Sequence, residues 1–254
     1  MKISLANQVA VVTGGSRGIG AATVRLFAEA GAAVIFSYRK NHQAAAEVIR
    51  NCGSGARVKS VRVELSRMSD AQKLIEMAIR EFGRLDILVA NAGIWPPAPL
   101  PIEKMSERDW DRMMDINLKG VYAVIHHAVP HMIRQKSGRI IAISSTAGQR
   151  GEAFHTDYGA SKGGVISLVK GLSTELARHN ILVNCVAPGW VDTEMAAPVK
   201  QNKGEYGKAL RPIPLRRFAR PEEIAMPILF LASKMASYMT GEILNVNGGN
   251  ILCG

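Results

Sequence analysis

Tyr158 and Lys162 stand four residues apart in the run YGASK, which opens a helix-patterned stretch reaching about residue 178. Side chains at i and i+4 share a helix face, so the ammonium can lie below the phenol ring and reach a ribose beside it. A free phenol titrates near about 10 and is poorly matched to proton transfer at neutral pH. One positive charge at about 4 Å, in an effective dielectric of about 20, supplies about 4 kcal/mol and can lower that value by up to about three units. The spacing therefore predicts an acid or base for an oxygen whose carbon exchanges hydride. Alone, a Tyr and a Lys at this distance are more often an ordinary helix face. Ser145, closing the apolar run RIIAISS, lifts the pair above that, because its hydroxyl can hydrogen-bond the same oxygen from the carboxyl edge of a sheet. Ser144 competes with it, and alternation cannot separate the two in a run that is apolar throughout.

A second group of residues lies near the start of the chain. VAVVT runs into Gly14, Gly15, Ser16, Arg17, Gly18, Ile19 and Gly20, and then into the helical pattern AATVRLFAEAG. A strand, a glycine turn and a helix start gather free backbone N–H groups and the positive helix end at one spot, which suits a pyrophosphate. A glycine triplet by itself would be a structural turn; the strand before it and the helix after it favour a dinucleotide. The spacing is G-x-x-x-G-x-G, not the commoner G-x-G-x-x-G. About 20 residues on, an NAD-binding chain usually offers the ribose a carboxylate, but this one has Ser37, Tyr38, Arg39 and Lys40. Arg39, helped by Arg17, can hold a 2′-phosphate by charge-assisted hydrogen bonds, so NADP(H) is the expected cofactor. The weaker alternative makes Arg39 and Lys40 exposed helix-entry charges.

Such side chains must be brought together by a sheet. Apolar, β-rich runs at 8–13, 33–38, 58–63, 86–90, 139–144, 181–186 and 243–246 alternate with helix-patterned stretches. Parallel strands need crossovers, and crossovers cover both faces. The expected fold is α/β: a single-domain, Rossmann-type, doubly wound parallel sheet of about seven strands, helices on both faces, over residues 1–254. Pro-rich pieces at 95–101 and 198–221 read as loops bordering the site, with a substrate lid at about 193–215. A chain of 254 residues, 47% of them hydrophobic, can bury one sizeable core. It has no run of about 18 apolar residues, and MKISLANQ lacks the order of a secretory signal, so a cytoplasmic location is expected. Cys52, Cys185 and Cys253 lack the close spacing of a zinc or redox site and read as reduced thiols. No metal is expected either, since His155 has no partner ligands. The formal charge of +11 attracts anions of several kinds. Its carriers are scattered (Arg57, Lys59, Arg62; Lys200, Lys203, Lys208; Arg216, Arg217, Arg220) and read as solvated faces, which predicts neither nucleic acid nor membrane as a partner.

TGGSRGIG at 13–20, Asn91, Ala92 and Gly93, Asn117 in DINLKG, Ser145 in SSTAG, YGASK, PGWVDT at 188–193 and PEEIA at 221–225 together resemble the short-chain dehydrogenase/reductase family over essentially the whole chain. The resemblance implies a catalytic tetrad of Asn117, Ser145, Tyr158 and Lys162, choosing Ser145 over Ser144. In it, the Asn bends its helix and holds a water that links Lys to solvent, while the Lys holds the nicotinamide ribose. It adds Glu64, Leu65, Pro188, Gly189, Val191 and Thr193 to the cofactor contacts named above. Within the family the pattern is most similar to 3-oxoacyl-acyl-carrier-protein reductases. That implies NADPH, a small-molecule or carrier-bound carbonyl substrate, and a homotetramer built on the catalytic helix and the helix over 117–134. Ile166, Val169 and Leu172 are the expected apolar surface of that helix. Alcohol, sugar and steroid dehydrogenases share the same motifs, and a non-catalytic nucleotide- or nucleic-acid-binding regulator is a remote alternative. Glu64 and Leu65 depart from the family's usual Asp and small apolar residue, Arg216 and Ala219 stand where glycines are common, and VNGG at 246–249 replaces VDGG. Trp95, Pro96, Pro97, Gln149, Arg150 and His155 are candidates for the pocket wall.

Overall fold

The apolar runs form seven strands: β1 (Val9–Val12), β2 (Ala33–Tyr38), β3 (Val58–Arg62), β4 (Ile87–Ala90), β5 (Gly138–Ile143), β6 (Ile181–Pro188) and β7 (Ile243–Val246). In the computed structural model, which describes residues 3–252, they build one sheet in the order β3-β2-β1-β4-β5-β6-β7. Every neighbouring pair is parallel. Every residue of β1 and β4 is buried, as strands covered on both faces require. Cys253 lies outside the described residues.

The covering helices are α1 (Gly18–Glu29), α2 (His42–Asn51), α3 (Met68–Phe82), α4 (Glu107–Met114), α5 (Gly120–Gln135), α6 (Thr146–Arg150), α7 (Thr156–Leu176), α8 (Ala197–Gln201), α9 (Lys203–Leu210) and α10 (Pro221–Ala232). One face of the sheet takes Val24 and Phe27 of α1 with Ile224 and Ile228 of α10. The other takes Leu74 and Ile75 of α3, Val121 and Val124 of α5, and Val165 and Val169 of α7. Phe27 is wholly buried, so truncating it to Ala removes packing worth about 3–5 kcal/mol. The doubly wound fold expected from the sequence is what the chain adopts. The direction in which successive strands are added reverses between β1 and β4, and in such sheets the crevice at the strands' carboxyl ends, at this switch point, is where ligands sit. Gly14 follows β1 there and Asn91 follows β4.

Two expectations change. Residues 198–221 are not simply loop: α8 begins with a proline near its N-terminus, and the Asn202 side chain caps α9 by accepting from the N–H groups of Gly204 and Glu205. Val169 does not belong to an outer apolar surface, because its side chain is wholly buried against the sheet; Ile166 and Leu172 are half-buried. The basic clusters remain at the exposed surface, as expected, and several of their members are ion-paired within the chain. Lys59 meets Glu81, Lys200 meets Asp192 at 2.6 Å, Lys208 meets Glu205 at 2.9 Å, and Arg217 meets Glu223 at 2.6 Å. Among the described residues no helix is long and apolar enough to cross a membrane.

Candidate active site

A cleft of about 550 Å³ runs along the carboxyl edge of the sheet, from Arg39 past Gly14 and Asn91 to Tyr158 and Trp190. Its floor is set by the glycine turn. Gly18 has φ +52°, a left-handed conformation that side chains disfavour, and a Cβ at Gly20 would lie 2.2 Å from the Gly14 carbonyl oxygen. The turn is tied to both flanking strands: the Gly14 N–H donates to Ser37 Oγ at 3.1 Å, and Asn91 Nδ2 donates to the Thr13 carbonyl at 2.9 Å. The first turn of α1 carries no acidic side chain, so its dipole and the N–H groups of Gly18, Ile19 and Gly20 are available to an anion.

Every residue expected at the cofactor lines this cleft: Gly14, Ser16, Arg17, Gly18, Ile19 and Gly20 from the turn, Tyr38, Arg39, Glu64 and Leu65 at one end, Asn91, Ala92 and Gly93 in the middle, and Pro188, Gly189, Val191 and Thr193 beside them. The Tyr38 hydroxyl is tied to His42 Nδ1 at 2.9 Å. The far end of the cleft holds an ion pair that spacing along the chain does not announce. The Arg39 guanidinium is ion-paired with Glu64, joining the exits of β2 and β3. With the Arg39 side chain 49% exposed and that of Glu64 28% exposed, the pair is worth at most about 1 kcal/mol.

At the other end, strand geometry separates the two serines. Ser144 is buried and its hydroxyl donates to the Lys162 carbonyl at 2.8 Å, fastening β5 to α7. Ser145 caps α6 by accepting from the Ala147 N–H at 3.1 Å, and its hydroxyl lines the cleft beside Tyr158. Lys162 is buried and donates through Nζ to the Ile143 carbonyl at 2.9 Å, with Nζ 5.9 Å from the Tyr158 ring centre. Burial pulls its ammonium down to about 8. The Tyr158 phenol does not follow the expected direction. Although the ring is half-buried, burial pushes the phenol up to about 12, partly opposed by a hydrogen bond with Ser145 and reinforced by the Glu152 carboxylate.

Asn117 lies behind the cleft wall, fully buried, in a π-helical turn over Asp115–Lys119 that offsets α4 from α5. Such turns mark functional sites in many helices. Its Oδ1 accepts from the Ile94 N–H at 2.8 Å, and its Nδ2 donates to the Ile94 carbonyl at 2.9 Å and toward Ser161 Oγ at 3.3 Å. A Cβ on Gly93 would be 3.2 Å from Asn117 Oδ1 and 3.4 Å from Lys162 Nζ, so the two polar groups converge on one spot.

Of the candidates for the pocket wall, Trp95 and Arg150 line the cleft. His155 stacks on Trp95 with ring centres 4.9 Å apart and bonds the Pro96 carbonyl through Nε2 at 2.9 Å. Gln149 instead donates to Asn245 Oδ1 at 2.6 Å. Sequence reasoning missed Glu152, Arg112 and Trp190, which also line the cleft. Trp190 stands next to Gly189 in a motif already singled out, and that adjacency was the available signal.

A family model described as enoyl-(acyl carrier protein) reductase matches residues 14–250. The chain is 40% identical over 248 residues to the 3-oxoacyl-[acyl-carrier-protein] reductase FabG of Thermotoga maritima, covering 98% of this chain and 99% of that one. It is 39% identical over 251 residues to the acetoacetyl-CoA reductase of Synechocystis, covering 98% and 99%. It is 41% identical over 247 residues to the cis-4-hydroxycyclohexanecarboxylate dehydrogenase of Sinomonas cyclohexanicum, covering 97% of each. The crystal structure of gox2181 superposes with a TM-score of 0.93 at 35% identity, covering 97% of this chain and 96% of that one. The chain belongs to the short-chain dehydrogenase/reductase family. It is an oxidoreductase that works with a nicotinamide cofactor.

Proposed function

We propose that the protein reduces the ketone of a 3-oxoacyl thioester to the secondary alcohol at the expense of NADPH. The observation that carries this is the arrangement of one cleft, with Tyr158, Ser145 and buried Lys162 at one end and Arg39, on a β2 exit without a carboxylate, at the other. The residues fit the cofactor. The glycine turn and the start of α1 would hold its pyrophosphate, Arg39 and Arg17 its 2′-phosphate, and Lys162 and Tyr158 its nicotinamide ribose. When bound and reduced, the nicotinamide supplies the hydride that the ketone carbon accepts. Ser145 hydrogen-bonds the carbonyl oxygen, and Tyr158 gives that oxygen its proton as negative charge develops there. Lys162 offsets the resulting phenolate, and Asn117 holds the Ile94 loop and α7 in register around it.

The named 3-oxoacyl and acetoacetyl reductases among the relatives support the thioester reading. The net positive charge suits an acidic carrier protein. We place the enzyme in the cytoplasm as a homotetramer, with residues 193–215 as a substrate lid. The lid has packing of its own, since Ala196, Ile213 and Phe218 form a cluster separate from the two main cores. The exposed Tyr238 and Leu252 near the C-terminus offer apolar surface to a second subunit. NADPH oxidation followed with acetoacetyl thioesters, simple ketones and sugars decides the substrate reading. Turnover of a sugar or alcohol with NADP, and none of the thioester, overturns it. Light scattering at micromolar concentration is expected to give four chains.

A further inference from the structure

The reacting end of the cleft contains a carboxylate for which the reduction has no use. Glu152 lines the wall with Tyr158, Trp95 and Trp190, and its side chain is only 20% exposed. Trp95, on the same wall, stacks on His155 and meets Trp190 in a T-shaped contact, 5.4 Å away between ring centres. His155 bonds the Pro96 carbonyl through Nε2 and lies with Nδ1 3.9 Å from Glu152 Oε1. The carboxylate is close enough that its field opposes ionisation of Tyr158. Arg150 and Arg112 line the same cleft, but both are exposed. Solvent screens them far more than it screens Glu152; the buried cation, Lys162, sits beside the Tyr158 ring with Nζ on the Ile143 carbonyl, which leaves Glu152 as the buried charge on the wall it shares with Trp95 and Trp190.

We infer that Glu152 selects the substrate's charge: it turns away ketones that carry a carboxylate near the reacting carbonyl and admits the neutral thioester or amide counterpart. This rests on the reading of the cleft given under Proposed function. It also gives one way in which a 3-oxoacyl thioester would be distinguished from the free 3-oxo acid, which has the same ketone but carries a carboxylate in place of the thioester and its thiol arm.

The test uses two matched pairs at about pH 8, where carboxylates are ionised. One is acetoacetyl-N-acetylcysteamine against acetoacetate; the other is 4-oxocyclohexanecarboxamide against 4-oxocyclohexanecarboxylate. In the wild type kcat/KM should favour the neutral member by at least about tenfold, since a like charge within about 7 Å in a partly buried site has that much effect or more. In Glu152→Gln, which keeps the size, that preference should fall at least about fivefold. A lost scaffold would instead depress both members of a pair alike. Equal turnover of charged and neutral members by the wild type overturns the inference whether or not the variant folds, and so does a preference that Glu152→Gln leaves unchanged. If only the cyclic pair reacts, the thioester reading fails while Glu152 is still tested. If no neutral ketone reacts, both fall.

Discussion

Replacing Arg39 by Ala should weaken NADPH binding about 5- to 30-fold and leave NADH within about twofold. The magnitude follows from the observed surroundings. A charge-assisted hydrogen bond between a guanidinium and a phosphate contributes about 1.5–3 kcal/mol. Arg39 is about half exposed, and in the free protein it is already paired with Glu64, an interaction worth up to about 1 kcal/mol that a phosphate must displace. The difference is about 1–2 kcal/mol, hence the stated factor. The same reasoning fixes the sign for Glu64→Gln. Freed from its carboxylate, Arg39 binds the 2′-phosphate up to about fivefold more tightly, and NADH gains nothing through this route. Dissociation constants for both cofactors can be read from nicotinamide fluorescence enhancement, at fixed ionic strength because exposed charges are screened by salt. Equal losses for NADPH and NADH in Arg39→Ala would refute the assignment of Arg39. Weaker NADPH binding in Glu64→Gln would show that Glu64 preorganises Arg39 and does not compete for it.

Tyr158→Phe should lose about 10²–10⁴-fold in kcat while its NADPH dissociation constant stays within about twofold, because a proton donor is removed and the cradle is kept; wild-type turnover would exclude the proposed mechanism. Lys162 is drawn down from 10.5 to about 8 by burial. Between those values the unfolded chain holds a proton that the folded one has released, so this group makes stability rise with pH over that window and lowers it below about 8. In cofactor-free protein Lys162→Met should therefore be more stable than the wild type by about 2 kcal/mol near pH 7, an advantage that fades as pH rises from about 8 to about 10.5. Denaturant midpoints at several pH values measure this, and a pH-independent difference would contradict the burial argument. Arg216 adopts φ 54°, the left-handed region where a Cβ is unfavourable, so Arg216→Gly should stabilise the fold by about 0.5–1 kcal/mol. A lower thermal midpoint would mean that the Arg216 hydrogen bond to the Arg211 carbonyl, 3.0 Å long, outweighs the strain.

The strands were legible because parallel strands covered on both faces need unbroken apolar runs, and VAVV and ILVA are such runs. Their order was less legible. Nothing in β4 itself says that it pairs with β1; that follows from helices packing on both faces of the sheet, a property of the assembled layers. The cofactor half of the cleft could be read from spacing because its contacts come from turns at strand ends, where residue number and position in space are tightly linked. Glu64 illustrates the limit: its partner Arg39 lies on a neighbouring strand, and only the register of β2 with β3, in which Tyr38 pairs with Arg62, brings the two exits together. Glu152 and Trp190 were missed for the same reason, being on different segments that meet only at the mouth of the cleft. The family glycines at Arg216 and Ala219 were noticed as departures, but the positive φ at Arg216 is what gives the first of them a physical meaning.

The shifts of Tyr158 and Lys162 have one main cause, burial. The sequence offered a lysine four residues away as a means of making the phenol more acidic, but that estimate left out desolvation. In the fold, burial acts on both groups, raising the phenol to about 12 and lowering the ammonium to about 8. A phenol at about 12 keeps its proton across the neutral range, and that is the state from which a ketone reduction draws its proton. Burial thus keeps Tyr158 in the proton-donating form that the proposed ketone reduction uses.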